Sequence, residues 1–135
     1  PVAAQGQTTD TLDIYLIAVE GGNATLFVSP SGESLLIDTG YQSEGRDAGR
    51  IIAAARDAGL TRIDHLITTH YHGDHMGGLA ELTAQFSVVH FIDHGPTQNP
   101  AGSGAGFVEG YEAIWAKATH TAVRAGDTIP IAGRR

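Results

Sequence analysis

Cysteine is absent from this 135-residue chain, which excludes disulfide bonds and thiolate metal ligands. Any metal ion would therefore be bound by histidine and carboxylate side chains. Basic residues are also few, since 8 Lys and Arg stand against 15 Asp and Glu, for a formal net charge of −7. This acidic balance makes nucleic acid and anionic membranes unfavoured partners, although a bound metal can reverse the charge locally.

Long hydrophobic runs are missing as well. The longest, "IYLIAV" at 14–19, is too short to span a bilayer. The composition, with 41% hydrophobic and 17% charged residues, is typical of one globular domain. The first residues, "PVAAQGQTTD", contain no Met and resemble the region around a signal-peptidase site. We expect 1–11 to be a tail left by export to the periplasm or the outside; an ordinary tail of a cytoplasmic protein is the alternative.

The order of apolar patterns predicts strands first and then alternating strands and helices. This order is typical of an α/β domain in which helices cover at least one face of a mixed sheet. A Gly- and Pro-rich loop at 94–106 is long enough to suggest a function. The predicted strands are 12–19, 24–30, 33–40, 62–70, 87–93 and one that follows a turn within 125–133, and the predicted helices are 46–59, 76–86 and 107–120.

The stretch "TTHYHGDHMGG", at 68–78, places His70, His72, Asp74 and His75 within six positions. His70 and His72 are two residues apart, so on extended backbone both side chains face the same side. Gly73 lets the chain turn, which brings Asp74 and His75 toward the same space. The cluster follows a predicted strand, at the edge where α/β sheets bind ligands.

Imidazole and carboxylate are the ligands of zinc, and also of iron and manganese. Four such groups are too crowded for one tetrahedral ion. Two ions would use them better, with His70 and His72 on one and Asp74 and His75 on the other. A two-metal site activates water for hydrolysis, and Asp74 would orient that water and carry a proton to the leaving group. A polar surface loop or an adventitious metal site is the alternative.

The remaining histidines have less distinctive positions. His65 precedes His70 by five residues within a predicted strand, so we expect it on the opposite face. His90 is expected to pack in the next strand. His94 follows that strand at the same edge as the cluster, where it would line the pocket or act as a weak ligand. His120 is expected to end a helix, where a protonated imidazole suits the helix dipole.

The segment "THYHGDHMGGL" resembles the signature of the metallo-β-lactamase fold superfamily, and "LLIDTG" at 35–40 resembles its upstream strand. The resemblance covers roughly 12–93 and implies an αβ/βα sandwich and a mostly zinc-dependent hydrolase. It places His70 and His72 on the first metal and Asp74 and His75 on the second. It also places Asp38 beneath the site as a supporting carboxylate; a turn-initiating Asp before Gly40 is the other interpretation.

Members of that superfamily usually take further ligands from strands well downstream. We therefore expect 12–135 to be the N-terminal half of the sandwich, truncated before its C-terminal half and inactive by itself. The missing half or self-association would cover the sheet. The complete protein is expected to use two zinc ions to hydrolyse a small-molecule ester, thioester, amide, lactam or phosphodiester. A di-iron oxidoreductase of the same fold and a non-catalytic binding module are the alternatives.

Overall fold

The computed structural model describes residues 10–96 and 105–133. Its six strands form one mixed sheet in the order β1-β2-β3-β4-β5-β6. The first three strands pair antiparallel, and β3 to β6 pair parallel. In chain order the elements are β1 Asp13–Leu16, β2 Thr25–Val28, β3 Ser34–Ile37, α1 Arg46–Asp57, β4 Arg62–Ile67, α2 Gly73–Met76, α3 Leu79–Thr83, β5 Ser87–Asp93, α4 Ala105–Trp115 and β6 Thr119–Ala122.

One face of the sheet is covered by helices and forms the core. Alternation along β2 and β3 sends Leu26 and Leu36, which are register partners, toward α1. Helix α1 packs on this face with an apolar stripe that includes the fully buried Ile51 and Ala55. Gly59, in a left-handed conformation (φ 75°), follows the end of this helix, where glycine is the usual residue. The expected α/β class with a mixed sheet and flanking helices is confirmed.

The opposite face carries apolar side chains that the helices do not cover. On β1, Ile14 is 53% exposed and Leu16 is 83% exposed. Their register partners on β2 are Phe27 and Thr25, which are half-buried. This open face therefore presents apolar side chains to solvent in the part of the chain that the structure describes. No helix among the described residues is both long enough and apolar enough to cross a membrane.

Several predicted boundaries differ from the structure. The helix predicted over 76–86 is two short helices, α2 and α3, separated at Gly77 and Gly78. The strand predicted over 62–70 ends at Ile67, so His70 and His72 lie in a loop, and Asp74 and His75 lie in the short helix α2 that follows it. Most of the expected tail at 1–11 and most of the loop at 94–106 lie outside the described residues.

The C-terminal part departs furthest from the prediction. Helix α4 ends at Trp115 instead of residue 120, and His120 lies on β6 beside Phe91 of β5. The position predicted for His120, at a helix C-terminus, is therefore wrong. The strand predicted within 125–133 is also wrong, because the described residues 123–133 form a turn and irregular chain. This segment is attached instead through Ala132, whose carbonyl accepts from Ser31 Oγ at 2.7 Å.

Candidate metal site

Residues 68–76, which follow β4 and include α2 and are here called the metal loop, are held against the end of β3 by backbone hydrogen bonds. The Asp38 N–H donates to Ile67 O at 2.9 Å, and the Thr39 N–H donates to His75 O at 2.6 Å. The strands β3 and β4 are parallel neighbours, so their carboxyl ends meet at one edge of the sheet. The histidine-rich loop therefore lies at the edge where the sequence placed it.

Three of the four predicted ligands converge. His70, Asp74 and His75 each offer one ligand atom, and these atoms lie within 4.8 Å of one another. The rings of His70 and His75 are 4.0 Å apart, and His75 Nε2 lies 3.4 Å from Asp74 Oδ2. His72 is exposed and stands outside this group, although its ring is only 4.7 Å from that of His70. No other group of this kind occurs in the part of the chain that the structure describes.

Asp38 lies beneath the group and is 1% exposed. Its Oδ2 accepts from His75 Nδ1 at 2.8 Å and from Thr69 Oγ1 at 2.7 Å, while its Oδ1 accepts from the Thr69 N–H at 2.8 Å. The Gly40 N–H donates to Asn23 O instead of the Asp38 side chain. Asp38 thus supports the loop and does not cap its own turn. With Nδ1 held by Asp38, His75 presents Nε2 toward Asp74, which is the arrangement common in metal-ligating histidines.

The electrostatics of the group favour neutral imidazole at His70. Burial lowers the pKa of His70, and the neighbouring His75 and His72 lower it further. Neutral imidazole is the form that binds a metal ion. A tetrahedral ion with ligands at about 2.1 Å places each pair of them about 3.4 Å apart, so shifts of up to about 1.5 Å close the group. The donor set and its spacing therefore fit zinc, and the same donors also suit iron or manganese.

Two supporting residues were missed by the sequence reasoning. Asn23 donates from its backbone N–H to Asp74 O at 3.1 Å and from Nδ2 to Asp38 Oδ2 at 3.1 Å. Gly22, beside it, packs so close to the same carbonyl that an added Cβ would lie 2.0 Å from Asp74 O. The stretch "GGN" at 21–23 is typical of a turn, and nothing in the neighbouring sequence indicates that this turn contacts the metal loop.

The other histidines do not join the group. His94 is exposed, and its ring packs beside that of Tyr71 at 4.8 Å. His65 and His90 face each other in the sheet, with their Nδ1 atoms 3.1 Å apart, and His65 Nε2 contacts Glu33 Oε1 at 2.6 Å. His120 is hydrogen-bonded to the buried Asp93, at 2.7 Å from Oδ2.

Known proteins share this fold. The structure resembles MEM-A1, a subclass B3 metallo-beta-lactamase from a soil metagenome library, with a TM-score of 0.59 and 20% identity over 95% of this chain and 49% of that one. It also resembles a beta-lactamase domain protein from Burkholderia ambifaria, with a TM-score of 0.53 and 17% identity over 100% of this chain and 47% of that one. At these identities the likeness concerns the fold, and it confirms the expected αβ/βα sandwich type.

Relatives by sequence are enzymes or enzyme-like proteins. Lactamase-like protein notP of Aspergillus sp. (strain MF297-2) is 32% identical over 111 residues, covering 78% of this chain and 33% of that protein. A hydroxyacylglutathione hydrolase of Stenotrophomonas maltophilia is 36% identical over 67 residues, covering 50% of this chain and 23% of that protein. An atrochrysone carboxyl ACP thioesterase of Aspergillus terreus is 39% identical over 61 residues, covering 45% of this chain and 18% of that protein. The chain thus spans about a third or less of the length of these relatives.

The model of the metallo-beta-lactamase superfamily matches residues 17–134. This range includes the histidine cluster, Asp38 and every strand after β1. Because the match extends over well more than half of its length, the chain belongs to the metallo-beta-lactamase superfamily.

Proposed function

We propose that this chain carries ligands of the metal centre of a zinc-dependent hydrolase that acts on a small-molecule substrate. The observation that supports it most is the convergence of His70, Asp74 and His75 above the buried Asp38. The relatives named as a hydrolase and a thioesterase support hydrolysis in general. Ester, thioester, amide or lactam bonds are the candidate substrates, and the acidic chain makes nucleic acid a less favoured one.

In the proposed arrangement His70 and His72 would hold one ion, and Asp74 and His75 would hold a second. When bound, zinc supplies the Lewis acidity that makes hydrolysis accessible near neutral pH. Asp38 would keep the His75 ring oriented by accepting from Nδ1. Two side chains per ion leave coordination positions for water, substrate and further ligands.

Asp74 has the second role in this proposal. Its side chain is half-buried, and Oδ2 lies 3.4 Å from His75 Nε2, so the carboxylate faces the same space as the imidazoles. A carboxylate in that position would orient the attacking water and carry a proton to the leaving group. His94 would line the approach from the side of Tyr71, with its exposed ring free to contact a substrate.

Metal analysis and a hydrolysis panel test the proposal together. The purified chain is stripped with a chelator, reloaded with Zn²⁺, Fe²⁺ or Mn²⁺, and assayed on a thioester, a lactone, a β-lactam and a phosphodiester. We expect zinc to be retained, and His75→Ala and Asp74→Asn to lower its stoichiometry. His90→Gln is the matched control, because His90 is a half-buried histidine of the sheet outside the group.

Unchanged zinc stoichiometry in both site variants would refute the ligand assignment. If the chain retains iron in preference to zinc, the proposed metal of this site is iron. If metal binds as expected and no substrate of the panel is cleaved, the metal site stands and hydrolysis of these bond types by the chain is excluded.

A further inference from the structure

Tyr71 lies between two predicted metal ligands but faces the protein interior. It is 7% exposed, whereas His72 beside it is exposed to solvent. Its hydroxyl donates to Gly95 O at 2.5 Å, and its ring lies 5.9 Å from that of Tyr111. Burial and the nearby Asp93 carboxylate raise the pKa of Tyr71, so the hydroxyl remains a donor at any physiological pH.

The acceptor of this hydrogen bond is itself held in place. The Gly95 N–H donates to Asp93 Oδ1 at 2.7 Å, and Gly95 has a left-handed backbone (φ 86°). Asp93 is buried at the end of β5, where its Oδ2 contacts Tyr111 Oη and His120 Nε2, each at 2.7 Å. Two successive hydrogen bonds, through Gly95, therefore connect the metal loop to a rigid carboxylate of the sheet.

We propose that Tyr71 is a positioning residue that sets the relative placement of His70 and His72 for metal binding. The loop between β4 and α2 has no strand pairing at His70 and His72, so contacts of the intervening side chain contribute to its placement. Tyr71 does so from the centre of the His-x-His segment, by burying its ring and bonding to Gly95. This proposal rests on the proposed metal-binding function and assigns a residue that touches neither metal nor substrate.

The phenylalanine variant separates positioning from packing. Tyr71→Phe keeps the buried ring and removes only the hydroxyl that reaches Gly95. Tyr111→Phe is the matched control, because Tyr111 is 1% exposed and bonds to the same Asp93 but lies on α4, outside the metal loop. Asp93→Asn, which keeps the shape of the carboxylate, tests the second hydrogen bond of this connection, from the Gly95 N–H to Asp93.

The experiment uses Co²⁺ as a spectroscopic probe with the chelator-treated chain. We expect Tyr71→Phe to bind Co²⁺ about 10-fold more weakly, by analogy with other residues that orient metal ligands, and to change the visible absorption of the bound ion. Asp93→Asn should act in the same direction. Tyr111→Phe should lower the melting temperature and leave the Co²⁺ affinity within about twofold of the parent, because it leaves the Tyr71–Gly95 bond in place.

Metal-free protein provides the second readout. The His70 and His72 rings lie 4.7 Å apart, so their protons should give an NMR cross-relaxation signal that weakens in Tyr71→Phe. Parental Co²⁺ affinity in Tyr71→Phe, or an equal loss in Tyr111→Phe, would overturn the positioning role. If the parent binds no Co²⁺, the proposed function fails, and the ring–ring signal alone decides: a weaker signal in Tyr71→Phe supports positioning, and an unchanged one overturns it.

Discussion

Replacing Gly22 by alanine should disrupt the metal loop from a turn more than 40 positions earlier in the chain. An added Cβ would lie 2.0 Å from Asp74 O, 3.0 Å from Asp74 C and 3.4 Å from Asp74 Cα. All three are backbone atoms, so rotating a flexible side chain cannot relieve the clash. Gly22 is not among the glycines with positive φ, which means that alanine suits its backbone and the contact alone opposes it.

The cost follows from the displacement that the new methyl group requires. The turn and the loop must separate by about 1.4 Å to restore a normal carbon–oxygen contact, and overpacking of this kind costs about 1–3 kcal/mol. The same shift weakens the hydrogen bond from the Asn23 N–H to Asp74 O, now 3.1 Å, which contributes about 0.5–1.5 kcal/mol. We expect a total loss of about 2–4 kcal/mol in the free energy of unfolding.

Urea unfolding and zinc titration of Gly22→Ala measure both effects. Gly49→Ala is the control, because Gly49 lies in α1 with no atom within 4 Å of an added Cβ, and this change should stabilise the chain by up to about 1 kcal/mol. We expect weaker zinc binding in Gly22→Ala and unchanged binding in Gly49→Ala. A Gly22→Ala variant with parental stability and parental zinc affinity would refute the close packing of this turn on the metal loop.

Three further perturbations have definite expected outcomes. Asp38→Asn should weaken zinc binding by about 10- to 100-fold, because an amide orients His75 less well than a carboxylate; isothermal titration measures this, and an unchanged affinity would remove Asp38 from the site. Burial and the adjacent His65 lower the pKa of His90 in the folded chain, so the unfolded chain binds a proton at this histidine more readily, and the free energy of unfolding should fall as pH drops below about 6.5. The urea midpoint should therefore change less between pH 7.5 and pH 5.5 in His90→Gln than in the parent, and an equal change in both would contradict this role of His90. Leu16→Glu on the open face should reduce self-association measured by light scattering, and a parental mass distribution would show that this face is not what associates.

The ligands themselves could be predicted because they are close in sequence. His70, His72, Asp74 and His75 occupy six positions, so any compact conformation of that loop keeps them near one another. The apolar residues that predicted β2 and β3 are equally local in sequence, and one face of each strand is buried. These features survive errors in element boundaries, which is why the cluster stayed at the sheet edge although β4 ended earlier than predicted.

Spacing along the chain could not predict the support of the site, because its partners are distant in sequence, and only the resemblance to the superfamily indicated Asp38. Asp38 reaches His75 across 37 positions, and Asn23 reaches Asp38 across 15. The end of α4 was predicted wrongly for the same reason. Residues such as Ala116 and Lys117 favour helix locally, but the hydrogen bond of His120 to Asp93, 27 positions away, and the pairing of β6 with β5 are available only in the strand.

The sequence by itself determined which side chains are available to a metal ion and placed them in one loop, because spacing within a few residues limits how far apart groups can lie. Only the tertiary structure decided how that loop is held: the carboxylate beneath His75, the turn packed on Asp74 and the anchor of Tyr71 at Gly95. Each of these contacts joins segments that meet only after the sheet has formed, since strand pairing is what brings the ends of β3, β4 and β5 to a common edge.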